Sequence, residues 1–180
     1  MSGNPHDRRR QIIAVLNPGG AITYPHLDYA VDLAVQYGWN IEPVTAGDGG
    51  ARANRITRTI WTPPIECDES LALFAHEGGH VQDRLDTERR YSPHPVGQHC
   101  RVSIAGEVEA WGFAMRHLGR RWNQAMHQHM VKCLWSYGQG GHYFVDSATE
   151  RVLFDDVIAA SREQARGVVR LLPNAGRGLR

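Results

Sequence analysis

Residues 68–80 read DESLALFAHEGGH, and this stretch decides how the rest of the chain is to be understood. Asp68 is placed to cap a helix whose buried side is Leu71, Phe74 and Ala75, spaced at three and four. On such a helix His76 and His80 differ by about 40° in azimuth and about 6 Å in height. Both imidazoles therefore leave on one face, where they can grip a single metal ion. Glu77 stands beside the first and can reach water at that ion without ligating it. The HExxH pattern thus has the residue types and spacing of a metal centre with its own general base.

Gly78 and Gly79 each cost a helix about 1 kcal/mol relative to alanine. A compensating close approach is expected, of a neighbouring backbone or of a substrate to the metal face. The competing expectation is a helix that ends or kinks there.

Working upstream, Ile56, Thr57, Thr59, Ile60 and Trp61 form a β-rich run with Arg55 and Arg58 among them, closed by Pro63-Pro64. It is the best strand in the chain. Asn40 to Thr45 reads as a short strand that Pro43 suits to a sheet edge, followed by a glycine-rich turn. Before it, Leu27, Ala30, Val31, Ala34 and Val35 recur at helical spacing, with Thr23 or Tyr24 at the cap, Pro25 in the first turn and Gly38 as the stop. Asn17-Pro18-Gly19-Gly20 closes a short apolar segment from Gln11 to Leu16, and residues 1–10 are expected to be disordered.

Downstream, Leu85 to Arg101 reads as a loop, and helical periodicity resumes in Ser103 to Leu118 and in Arg121 to Tyr137, where Ala125, Met126, Met130, Cys133 and Leu134 share one side. A short strand or turn at His142 to Val145 leads to a last helix from Ala148 to Leu172, with Val152, Leu153, Val157, Ile158 and Ala159 inward and Gly167 as a break. The expected fold is α+β: one mostly helical domain over residues 11–172, with a small antiparallel sheet next to the HExxH helix and a mobile tail at 173–180.

Composition narrows the function classes. The 180 residues are 42% apolar and 22% charged, an ordinary globular balance, and 20 basic against 19 acidic residues leave a formal charge of +1. No field of that size steers the chain to nucleic acid or to an anionic membrane. No window approaches a membrane span and no signal-peptide core is present. Cys67, Cys100 and Cys133 are widely spaced and form no CxxC pair, which favours a reducing compartment, taken as the cytoplasm.

A catalytic zinc site needs a third protein ligand and an open fourth position. Glu107 and Glu109 lie on the helix after the loop, about 200° apart in azimuth, so only one of them can share a face with the metal. Glu107 is on the side of Ala110, whose small side chain allows tight helix packing. Asp86 follows His80 by six residues, the spacing of an extended HExxHxxGxxD motif, but Asp83 occupies the place of the required glycine. All three stay open on the residues alone.

HEGGH followed by Glu107 in an ExxA context resembles the gluzincin metallopeptidases. The strand and capped helix ahead of it are similar to the minimal domain of the ImmA/IrrE-like group, over about Ile56 to Leu118. The resemblance implies one Zn2+ held by His76, His80 and Glu107, Glu77 as general base, a peptide or protein substrate, and pairing of that substrate along Arg55 to Trp61. Such families often place Asp or Asn where this chain has Trp111, which leaves Asp83 as the supporting acid. Tyr91, His142 and Tyr143 are the candidates for stabilising an oxyanion. His127 and His129, two apart on a helix, diverge and are not expected to share a metal. Trp61, Trp111, Trp122 and Trp135 are expected to anchor a core or an interface. The alternative function is a non-catalytic, metal-stabilised structural or regulatory module of a larger assembly such as a phage particle.

Overall fold

The computed structural model describes residues 5–44, 50–82, 91–93, 100–139, 143–144 and 148–167. It is a mostly helical α+β structure: among the described residues there are six α-helices and two three-stranded sheets. The contacts cluster into two compact units, Met1–Gln82 and Asp83–Arg180.

The first unit opens with α1 (Pro5–Leu16), where the sequence suggested disorder up to Arg10. Its polar start is held by partners that lie far along the chain. Arg9 pairs with Asp28 (3.2 Å) and with Asp32, and Arg8 donates to the Trp39 carbonyl (3.1 Å). Ile12 and Leu16 supply the buried side. Asn17 then closes the turn with two bonds to the Ile22 backbone. The next helix, α2 (Leu27–Tyr37), starts with His26 at the cap rather than Thr23 or Tyr24. It ends as expected at Gly38, whose φ of 67° lets its N–H reach back to the last turn.

Three strands follow: β1 (Asn40–Pro43), β2 (Arg52–Asn54) and β3 (Thr59–Thr62). Their order is β1-β3-β2, with β1 parallel and β2 antiparallel to β3, so the sheet is mixed and not antiparallel. Asn40 faces Thr59 and Ile41 faces Ile60 across the parallel pair. β1 is an edge, as Pro43 suggested. The β-rich run, however, does not begin at Ile56. Asn54 Oδ1 accepts from the Ile56 and Thr57 N–H groups (2.9 and 3.0 Å), which turns residues 55–58 into the bend of a hairpin. β3 is paired on both sides, so Arg55 to Trp61 offers no free edge to which a substrate strand could add. That expectation is overturned.

The sheet packs against α3 (Asp68–Gln82), which runs unbroken through both glycines. Its start is secured by Ser70, whose Oγ accepts from the Glu66 and Cys67 N–H groups (3.0 and 3.1 Å) and donates to the Cys67 carbonyl. The Asp68 carboxylate receives the Tyr24 hydroxyl at 2.6 Å. Burial pushes the Tyr24 phenol pKa up, helped by that bond.

The second unit is built on α4 (Ile104–Leu118), α5 (Gln124–Gln139) and α6 (Ala148–Ala165), which pack on one another around Trp111, Met115, Leu118, Met126, Met130 and Leu134. The stripe read on α5 holds. That on α6 shifts: Phe154, Val157 and Ser161 are buried, while Val152 is 57% exposed and Ala159 is exposed. This helix stops at Ala165 before Gly167, whose φ is 76°, and not at Leu172. Part of the expected loop is strand. β4 (Tyr91–Pro93) pairs antiparallel with β5 (Cys100–Ser103), and β6 (Tyr143–Phe144) pairs parallel with β5.

Candidate metal centre

His76 and His80 stand on one face of α3 and turn their rings toward each other, Nε2 to Nε2 at 3.1 Å, with ring centroids 4.6 Å apart and planes at 85°. Two imidazoles bound to one tetrahedral ion by bonds of about 2.0–2.1 Å would hold their nitrogens about 3.3 Å apart. The observed spacing is close to that value. His76 is 1% exposed and His80 half-buried, so both rings are held by packing rather than by solvent. Glu77 is also buried, at 6% exposure.

Gly78 has an explanation that neither expectation named. A Cβ built on Gly78 would lie 2.1, 2.6 and 2.8 Å from three atoms of the Trp39 ring. The close approach is thus made by an indole, not by backbone or substrate. With 100° per residue, Gly78 points about 180° away from the mean direction of His76 and His80. Trp39 therefore backs the helix directly behind its metal face. The indole is fully buried, stacks on Tyr37 (5.3 Å, 13°) and meets Phe74 edge-on (5.8 Å, 76°). With its amide turned to suit its neighbours, Gln82 accepts from Trp39 Nε1 (3.0 Å) and from Arg58 (3.2 Å). Sequence reasoning passed over Trp39. The signal available was a glycine on the back of a helix beside a sequence with five tryptophans.

Compared with family models, curated proteins and solved structures, the chain matches none. The site is therefore assigned on its chemistry.

The other candidates fall into two groups. Glu107 and Glu109 belong to the second unit, in the first two turns of α4. Glu107 is buried (7% exposed) and Glu109 is half-buried. Ala110 and Trp111 are buried as well, and Trp111 meets Trp122 and His129 edge-on at 6.4 and 6.1 Å. The residue standing where a supporting acid was looked for is thus a core side chain. Asp83, Asp86 and His142 lie outside the described residues. Tyr91 and Tyr143 are placed only as strand backbone in β4 and β6.

The described histidines of the second unit, His117, His127 and His129, have partners of their own. His127 Nδ1 lies 2.8 Å from Ser161 Oγ, which also accepts from Trp122 Nε1 at 3.0 Å. The serine hydroxyl thus joins the indole and the imidazole. His117 Nδ1 lies 2.9 Å from the Phe113 carbonyl and its ring stacks on Phe113 at 3.9 Å. His129 Nε2 is 3.6 Å from Cys133 Sγ. As expected, His127 and His129 diverge. Of the four tryptophans taken as anchors, Trp111 and Trp122 are core, Trp61 is half-buried under Arg52 (5.0 Å), and Trp135 is 56% exposed beside Phe154.

Proposed function

We propose that the chain is a zinc-dependent metallopeptidase. The observation that carries this is the pair of facing Nε2 atoms, 3.1 Å apart on one helix face, with buried Glu77 in the next position. His76 and His80 are two of the ligands, and Glu107, a buried carboxylate opening α4, is the third. Each offers one ligand atom of the kind zinc takes, imidazole nitrogen or carboxylate oxygen. The preference over Glu109 follows from the deeper burial of Glu107 and from the ExxA context shared with gluzincin-type enzymes. The substrate is a peptide or protein, and the compartment is the reducing cytoplasm, in keeping with the spaced cysteines. Among the described residues no helix is long and apolar enough to cross a membrane.

Zinc, were it held by His76, His80 and Glu107, would supply Lewis acidity and lower the pKa of water towards about 7. The chain supplies the rest. His76 and His80 orient the site from a helix that the Trp39 ring backs. Glu77, buried and adjacent, takes the proton of the attacking water and passes it to the leaving amine as the peptide bond breaks.

The test separates binding from catalysis. Glu77→Gln is expected to keep one equivalent of zinc and to lose cleavage of an unstructured protein substrate by at least about a hundredfold. Cleavage at the wild-type rate would remove Glu77 from the base role. Zinc retained by both proteins with no cleavage by either would favour a structural or regulatory module over an enzyme.

A further inference from the structure

Resting on the reading of His76 and His80 as ligands, we propose that Trp39 is a positioning residue for the metal centre. Its indole, filling the space that Gly78 leaves empty, sets how far the two imidazoles stand forward from the sheet side of α3. Three observations support this. The ring lies 2.1 Å from where a Cβ at position 78 would sit, whereas ordinary contact begins at 3.4 Å, so even a methyl group there forces α3 and the ring apart by about 1.3 Å. The displacement acts along the line from the back of the helix to its metal face, because Gly78 and the two histidines are about 180° apart. The ring itself has little room to retreat: it is fully buried, stacked on Tyr37 and edge-on to Phe74, and its Nε1 donates to Gln82 one turn past Gly78.

Metal sites hold their distances to within about 0.2 Å, so a shift of the size a methyl demands is several times what the ligand set tolerates. A groove cut to the width of an indole and a glycine opposite the ligands is thus a device for ligand placement. It goes beyond the helix stability that a buried tryptophan would provide anywhere.

The test is a size exchange read by metal binding. Zinc affinity is measured by competition with a chromophoric chelator, and ligand geometry by the visible absorption of the Co2+ form, in wild type, Gly78→Ala, Trp39→Leu and the double variant. Circular dichroism of the metal-free proteins reports folding separately. Gly78→Ala is expected to lose about ten- to a hundredfold in zinc affinity, the range for disturbed support of a ligand shell, and to change the Co2+ spectrum while keeping its helix content. Trp39→Leu alone leaves a gap and is expected to weaken binding several-fold, yet in the Gly78→Ala background it is expected to strengthen it. That reversal of sign is what a stability role would not produce in the affinity of folded protein. Wild-type affinity and spectrum in Gly78→Ala, or a double variant no better than Gly78→Ala, would overturn the proposal. If Gly78→Ala does not fold, Trp39→Leu decides alone, and unchanged affinity there overturns it. Failure of the underlying reading looks different: wild-type protein would bind no cobalt at all, or bind it equally after His80→Ala.

Discussion

Two regions of the molecule bury histidines on helices, and they satisfy them in opposite ways. In the second unit each ring nitrogen shown to be engaged meets a group of the protein: His127 lies against the Ser161 hydroxyl, and His117 against the Phe113 carbonyl. In the first unit His76 and His80 face one another, nitrogen to nitrogen, at 3.1 Å. A hydroxyl between a tryptophan and a histidine completes a neutral network of the kind that fixes a core. Two imidazoles converging on one point, with a buried carboxylate alongside, bring together groups of the kinds that can ligate a cation. The difference lies in spacing and in what stands opposite. Four residues bring two rings together on α3, while two residues send His127 and His129 to separate partners.

The comparison is broken most directly by removing one of the facing rings. His80→Ala is expected to lower zinc affinity on the order of a hundredfold or more, exceeding the effect of disturbing the ligands' support, with little change in the denaturation midpoint of the metal-free protein. Equal zinc content in wild type and variant, by elemental analysis after dialysis, would refute the pairing. Ser161→Ala is the counterpart in the second unit. It leaves Trp122 Nε1 and His127 Nδ1 without their shared partner and is expected to cost about 1–3 kcal/mol in chemical denaturation. A neutral result would show that the network does not hold α5 to α6.

The smallest expected effect is on pH dependence. Burial, with Arg162 and Arg166 adding to it, lowers the His127 pKa below its ordinary 6.5. His117 is lowered too, by burial and then by Arg116, against the opposing pull of the Phe113 carbonyl. A chain that unfolds takes up protons near 6.5 that the folded chain resists. Stability is therefore full above that pH and falls as pH drops through 6.5 towards the folded values. Denaturation midpoints measured with a chelator present should decline from pH 7.5 to pH 5.5, and His127→Gln should flatten that decline. A slope unchanged in His127→Gln would assign the acid sensitivity to other groups.

Much of the site was legible because it is local. DESLALFA carries its helix signal in consecutive turns, and α3 spans Asp68–Gln82 with His76, Glu77 and His80 where the spacing placed them. The helix bearing Glu107 was legible for the same reason. What could not be read depends on residues distant in sequence. Residues 5–10 look unstructured until Asp28 and Asp32 are brought to Arg9. The mixed sheet hides in the sequence because a parallel pair such as β1 and β3 leaves no turn signal between neighbours. The strand start at Thr59 instead of Ile56 was decided by one asparagine side chain. The purpose of Gly78 was invisible without Trp39, 39 positions earlier, arriving behind the helix.

The account stands or falls on the facing imidazoles, and zinc K-edge X-ray absorption of the purified, dialysed protein tests them most directly. The prediction is about one zinc per chain with two imidazole nitrogens at about 2.0–2.1 Å, the remaining scattering from oxygen, and no sulfur. Protein that retains no zinc, or zinc bound through cysteine sulfur at about 2.3 Å, would contradict it.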